Sequence, residues 1–485
     1  MSQDKKLYRV LNNSFVLIGG SFFNQLVNFL AGILIARSLG SGFYGEWSFI
    51  FVFLSFFEMF AEFGLNSILT RQIAQEKEKA PQILGNAILF RLFLAAVTVP
   101  AAIFLIRMLN YPVSVEQGVL LASFQLFLTV RSVYETIFRV NLLMAYPTLL
   151  NGLRALLNLA LVAAISCFHP TVSFFILAAL ISGFAGFAAI IFFSRRFVSI
   201  RFRPDWNLIK GFVKESAPLL FSGYLTLLYY RIDVLMISKM KGFADVGYYS
   251  VATRLTESLG IIAVSFLQSL FPLLAHSFKE NRSEFESLVS RAYEGLLLIG
   301  LPIALGGGLV AGDLIVFCFG AEYARSGPTL GILFGYVFFS FLGSFLVNLL
   351  IVCGRQIVDA WISFFLVLIN IGLNCLLIPS HSYNGAAAAT VLTEIAGISV
   401  MLAYVARDAA IRLRFPLREL VLSLKVNLPY FLLLLILKRF FPMPVLVFIG
   451  LSALLYGFLL FVLRILAWKD FKNYFSQIFK TVSGP

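Results

Sequence analysis

Apolar stretches of about 20 residues follow one another from Phe15 to Leu466, separated by short polar segments. A helix of about 20 residues is what crosses the hydrocarbon core of a bilayer. Backbone groups inside lipid must find their hydrogen-bond partners within their own segment, so each stretch is predicted to be an α-helix. The pattern gives about fourteen spans, with cores near 14–36, 43–66, 86–107, 117–141, 149–168, 172–193, 216–238, 247–272, 292–318, 327–352, 359–379, 384–407, 421–440 and 444–466. The first is too long for the core of a signal peptide and no small-residue cleavage site follows it, so it reads as a retained membrane helix. The predicted fold class is an all-α, polytopic integral membrane protein.

Composition removes the alternative of a water-soluble fold. Hydrophobic residues make up 60% of the 485 and charged residues 13%, with a mean hydropathy of +0.91. The net charge of +14 needs no nucleic-acid partner, because the basic residues are sorted by side. With the N-terminus placed in the cytoplasm, 26 of the 38 Lys and Arg fall in cytoplasmic loops and tails and 7 in the opposite loops, leaving Arg91, Arg131, Arg154, Arg231 and Arg254 inside spans. That asymmetry predicts that both termini are cytoplasmic, with the basic surface facing anionic membrane lipids; the membrane expected is the cytoplasmic (inner) one. Cys167, Cys318, Cys353 and Cys375 lack zinc-ligand spacing, and His169, His276 and His381 stand apart from one another, so no metal site is expected.

The chain repeats itself. Ile35, Gly40, Gly45, Trp47 and Ser48 recur 202 residues later as Ile237, Gly242, Gly247, Tyr249 and Ser250. A second echo pairs Ile200-Arg201-Phe202-Arg203-Pro204 with Ile411-Arg412-Leu413-Arg414-Phe415-Pro416. Each of these leads into an amphipathic stretch, 206–214 and 417–425, expected as a helix lying along the membrane surface. The domain reading is therefore a six-helix bundle at 1–200, a second at 205–407, and two extra spans with a tail at 408–485. Six spans per copy make the repeat parallel, related by a pseudo-twofold along the membrane normal, as in alternating-access transporters.

Ala36-Arg37-Ser38-Leu39-Gly40, Tyr44-Gly45 and Phe63-Gly64-Leu65 with Arg71 form one set of motifs, and Arg231-Ile232-Asp233 with Met236, Val246-Gly247-Tyr248-Tyr249-Ser250 and Phe271-Pro272 form another. Their order and spacing resemble the O-antigen and polysaccharide flippases of the multidrug, oligosaccharidyl-lipid and polysaccharide exporter superfamily. The resemblance covers nearly the whole chain. It implies a lipid carrier of the undecaprenyl pyrophosphate type bearing a repeat unit of O-antigen, capsule or exopolysaccharide, with glycosyltransferases and a glycan polymerase of the same pathway as partners.

Ionisable groups within spans are costly and so point to a cavity or a partner. Arg131 and Glu135 are one helical turn apart, and Arg254 and Glu257 three residues apart; each pair reads equally as a structural ion pair or as cavity lining. Arg231 and Asp233 lie on roughly opposite faces of one helix, and their repeat equivalents are Phe29 and Ala31, which favours a functional Arg231 that engages pyrophosphate. Arg131 and Arg254 are the expected helpers from the two bundles. Asn24, Gln25 and Asn28 form a polar strip suited to sugar hydroxyls or to interhelical hydrogen bonds. Glu394 stands alone in mid-span and is the first candidate for ion coupling, with Glu257 and Asp233 behind it; a permanent hydrogen bond to a neighbouring helix explains Glu394 equally well.

No Gly-rich loop ending in Lys-Ser/Thr is present, so ATP hydrolysis by this chain is not expected. The expected function is a non-enzymatic flippase for a polyprenyl-pyrophosphate-linked oligosaccharide, without a cofactor and driven by an ion gradient, with protons preferred over sodium. The alternatives are a multidrug exporter of the same superfamily and a membrane-embedded glycan polymerase or ligase. The extra pair of spans and the intramembrane arginines argue against the exporter, and the short outer loops against the enzyme.

Overall fold

The computed structural model describes residues 3–408, 411 and 417–463; side chains are described for 19–408, 411 and 419–463. Lys5, Lys6 and Arg9, the second basic echo at 412–416 and the tail after 463 lie outside the described side chains. The helices run α1 Gln3–Glu62, α2 Leu65–Gln75, α3 Ala80–Met108, α4 Val113–Ala122, α5 Arg131–Val140, α6 Ala145–Phe168, α7 Val172–Ser194, α8 Trp206–Met240, α9 Phe243–Glu280, α10 Arg282–Phe319, α11 Gly327–Val352, α12 Gln356–Arg407, α13 Leu417–Phe440 and α14 Val445–Val462. Among the described residues, twelve helical segments are long and apolar enough to cross a membrane.

Two of the twelve are interrupted. Helix α1 breaks at Gly40, with φ 72° and ψ 173°, and α12 breaks at Ser382, with φ 49° and ψ −133°. Both breaks fall in the polar segments between adjacent predicted spans. Two further departures from the expected pattern each concern one segment. The fourth predicted span is no uniform helix, because a 3-10 stretch, Ser123–Val130, separates α4 from α5; eight residues is long for this tighter coil. The stretch expected to lie on the membrane surface at 206–214 is the first part of α8. Asp205 caps that helix by accepting from the backbone N–H of Asn207 and Leu208, and it continues through Pro218 to Met240.

The chain divides into two compact units, Met1–Gly247 and Tyr248–Pro485. In the first, a buried apolar cluster formed by Leu65, Leu84, Val133, Phe138, Ile190 and Phe212, among others, joins α2, α3, α5, α7 and the start of α8. The segment that links the two sequence copies is clamped to α3. Asn86, fully buried, donates to Arg203 O at 2.9 Å and accepts from Asp205 N at 2.8 Å. Gln82 donates to the Asp205 carboxylate at 3.1 Å, and Gly85 leaves room for the carbonyl of Arg201.

Helix α8 is fastened to the first bundle at both ends. Near its start Glu215 pairs with Arg71, and Tyr224 donates to Phe56 O. Near its end Ser238 bonds Tyr111 at 2.8 Å, and Lys239 sits over the Tyr111 ring at 4.0 Å. Beyond it the glycines that recur in the sequence share their geometry. Gly40 and its equivalent Gly242 both have positive φ, 72° and 103°. Gly45 and its equivalent Gly247 approach the opposite turn: a Cβ on Gly45 would collide with Phe243 O, and one on Gly247 with Ser41 O. At both positions the missing side chain is what lets the two backbones approach.

In the second unit α10, α11 and α12 pack in succession. The last two helices dock on α10 through Val310, Tyr430, Leu434, Val445 and Phe448. Tyr456 donates to Leu298 O at 2.7 Å and Lys438 pairs with Asp313 at 3.0 Å. The other side of this helix pair exposes Leu428, Leu432, Leu454 and Phe458, an apolar face suited to lipid.

Candidate functional site

The charged groups within the spans fall into separate settings. Arg91 of α3 is fully buried and is consumed by structure. It donates to Thr129 O at 2.5 Å, to Ser132 Oγ, to Glu62 O at 3.1 Å and to Asn66 Oδ1 at 2.9 Å. One guanidinium thereby ties the end of α1, the start of α2, the 3-10 stretch and the start of α5 to α3. The planar fork of arginine supplies these divergent donors, which a single ammonium does not. The link to Thr129 O also places an external donor on the segment that departs from α-helical bonding.

Arg131, at the start of α5, pairs with Glu135 at 3.1 Å and also bonds Asn151 of α6. The i,i+4 pair anticipated from spacing is therefore formed, with a third member from another helix. Asn24 of α1 donates to Gly20 O at 2.9 Å, within its own helix. Gln25 and Asn28 are half-buried on the same helix, and Arg231 is half-buried on α8. Asp233 is 5% exposed and accepts from the backbone N–H of Val234 at 2.8 Å. All of these belong to the first unit.

The remaining candidates belong to the second unit. Arg254 is half-buried and Glu257 exposed, both on α9. Glu394 of α12 is half-buried, and its carboxyl lies over Gly343 of α11, where a Cβ would collide with Oε1. The carboxylate thus packs against the bare backbone of a neighbouring helix. Outside the spans, Arg355 pairs with Asp408 at 2.8 and 3.3 Å, and that carboxylate raises the pKa of the guanidinium.

Sequence reasoning did not single out Arg91 or Arg154. Arg91's partners Glu62, Asn66, Thr129 and Ser132 lie 25 to 41 residues away, so local spacing carries no trace of them. The one available signal was the presence of arginine in an otherwise apolar span.

Twelve long apolar helical segments among the described residues, two of them broken, with charged side chains buried between helices, define a multi-pass integral membrane protein. Residues 10–278 match the model of the polysaccharide biosynthesis protein family, and the chain belongs to that family. The capsular polysaccharide biosynthesis protein CapF of Staphylococcus aureus is 26% identical over 276 residues, which are 56% of this chain and 69% of CapF. Among solved structures, the lipid II flippase MurJ in an inward closed conformation matches with a TM-score of 0.79 at 16% identity, covering 93% of this chain and 99% of MurJ. An inward-facing multidrug resistance transporter of the MATE family matches with a TM-score of 0.66 at 16% identity, covering 79% of this chain and 93% of the transporter. Identities this low establish the fold, and the fold agrees with the resemblance to polysaccharide flippases carried by the 36–45 and 231–250 motifs.

Proposed function

We propose that this protein is a flippase that moves a polyprenyl-pyrophosphate-linked oligosaccharide from the cytoplasmic to the outer leaflet of the inner membrane, by alternating access, for the assembly of O-antigen, capsule or exopolysaccharide. The observation that carries the reading is that a chain of a polysaccharide biosynthesis family shares its fold with a lipid II flippase over 93% of its length. In this reading both termini are cytoplasmic. Arg231 engages the pyrophosphate, with Arg131 and Arg254 contributing, because guanidinium matches phosphate through paired, charge-assisted hydrogen bonds. Asn24, Gln25 and Asn28 meet sugar hydroxyls. Glu394, backed by Glu257 and Asp233, couples the cycle to an ion gradient, with a proton as the preferred ion. Glycosyltransferases supply the substrate and a polymerase consumes it.

Depletion of the protein in its host tests the reading. Lipid-linked repeat units should accumulate in a pool inaccessible to an externally added glycosidase, while drug susceptibility stays unchanged. Normal external display of the repeat unit after depletion would overturn it. The likeness to a MATE transporter supports a second reading, drug export, for which the same experiment gives the opposite pair of outcomes.

A further inference from the structure

The first unit contains a cationic cluster in which one member has no acceptor among the described residues. Arg131 holds Glu135 and Asn151. Arg154 lies on α6, three residues beyond Asn151. Opposite it, Gly186 of α7 has no side chain, and the place where its Cβ would stand is approached by Arg154 Cδ at 3.0 Å, Arg154 Cγ at 3.1 Å and Arg131 Nη1 at 3.2 Å. Both arginines therefore run over the same patch of bare α7 backbone. A side chain at 186 would press on both.

The two differ in what they hold. Among the described residues, Arg154 makes no salt bridge and no hydrogen bond, and its Nε is buried without an acceptor. The charges that act on it are Arg131, of like sign, and Glu135, which is already engaged by Arg131. Two cations thus share one carboxylate inside a helical span. Arg154 is half-buried, and a guanidinium whose Nε is withdrawn from water without an acceptor is costly, a cost to which a like-charged neighbour adds. An anion with several oxygens, placed across both forks, relieves both penalties. One turn further along α6, Asn158 accepts from Ser182 Oγ of α7 at 3.3 Å, so the polar face between these helices continues past Arg154.

We propose that Arg154 and Arg131, converging over Gly186, form a binding site for a phosphate-bearing anion, specifically the diphosphate of a polyprenyl carrier. The assignment to the carrier rests on the substrate reading given above, whereas the phosphate site itself rests on the cluster. An anionic phospholipid headgroup offers related chemistry with a single phosphate. Two guanidiniums sharing one carboxylate favour the more highly charged diphosphate.

The test uses the full-length protein in phosphatidylcholine nanodiscs, with farnesyl diphosphate and phosphatidylglycerol as separate probes and ligand-induced thermal stabilisation as the readout. Wild type should bind farnesyl diphosphate in preference to phosphatidylglycerol. Arg154→Gln should weaken farnesyl diphosphate binding about 10- to 100-fold, the loss expected for one charge-assisted contact, and Arg154→Lys should recover part of it. Gly186→Ala keeps both charges but displaces both side chains by a few tenths of an ångström, and should weaken binding to a smaller extent. Without ligand, Arg154→Gln should melt no lower than wild type, because it removes a half-buried charge whose Nε lacks an acceptor and which faces a second cation; a purely structural arginine would lower the melting temperature instead.

Unchanged farnesyl diphosphate affinity in Arg154→Gln, or binding lost only together with the folded state, would overturn the site. Equal, Arg154-dependent binding of phosphatidylglycerol would keep the phosphate site and overturn the carrier assignment. If wild type fails to translocate lipid-linked oligosaccharide yet binds farnesyl diphosphate through Arg154, the functional reading fails and the site stands. Translocation combined with Arg154-independent binding gives the reverse.

Discussion

Replacing Gly45 with alanine probes the contact between the two duplicated turns. The added Cβ would overlap Phe243 O and would lie 2.7 Å from Phe243 C and 2.9 Å from Gly247 N. Every one of these neighbours is backbone, so no rotamer change makes room and the turns themselves must part. Overpacking of this kind costs about 1–3 kcal/mol. A cost of that size shifts the equilibrium between touching and separated turns roughly 5- to 150-fold toward separation. Ser41 reports the shift, because it is 8% exposed and its carbonyl lies against Gly247. A Ser41→Cys variant should react slowly with an impermeant maleimide, and adding Gly45→Ala should accelerate the reaction by up to the same factor. Cys167 and Cys375 are exposed and must first be replaced; burial pushes the Cys353 thiol up to about 11, leaving little reactive thiolate at neutral pH. Gly247→Ala should act in the same sense, since the contact is reciprocal. Labelling that is equally slow with and without Gly45→Ala, in protein of unchanged melting temperature, would refute the turn-to-turn contact.

Arg91→Met should lower stability by about 3–5 kcal/mol, because it strands the buried acceptors that one guanidinium satisfies, and Arg91→Lys should recover only part; a wild-type melting curve for Arg91→Met would remove Arg91 as the tie between these helices. Arg231→Ala should weaken binding of a pyrophosphate lipid by about one to two orders of magnitude, the loss of a charge-assisted bond worth about 1.5–3 kcal/mol, with Arg231→Lys intermediate; normal affinity in folded Arg231→Ala would leave Arg231 a structural residue. Glu394→Gln should abolish accumulation of flipped product driven by a pH gradient while substrate binding persists, and undiminished gradient dependence would take Glu394 out of the coupling step.

The sequence was most legible where physics acts locally. Apolar run length located the spans, and the glycines at 40, 45, 242 and 247 marked turns whose backbone does what glycine permits. The Arg131–Glu135 pair followed from helical periodicity. It was least legible where distant segments decide the outcome. The surface helix expected at 206–214 is continuous with α8, because an Asp205 cap starts the helix and nothing stops it before the span. The 3-10 stretch at Ser123–Val130 has no compositional mark, and one of its carbonyls is taken by Arg91 from another helix. The convergence of Arg131 and Arg154 over Gly186 brings together three helices, and no spacing rule connects them.

Translocation by the purified protein tests the central claim most directly. Proteoliposomes loaded with a fluorescent polyprenyl-pyrophosphate-linked oligosaccharide are assayed by the fraction of glycan that an impermeant glycosidase removes from the outer leaflet. Lipid initially on the inner leaflet should become cleavable faster with the protein than in protein-free vesicles, and Arg231→Ala, reconstituted to the same density, should lose most of that gain. Equal exposure rates with and without correctly folded, membrane-inserted wild-type protein, under an imposed proton or sodium gradient of either direction, would contradict it.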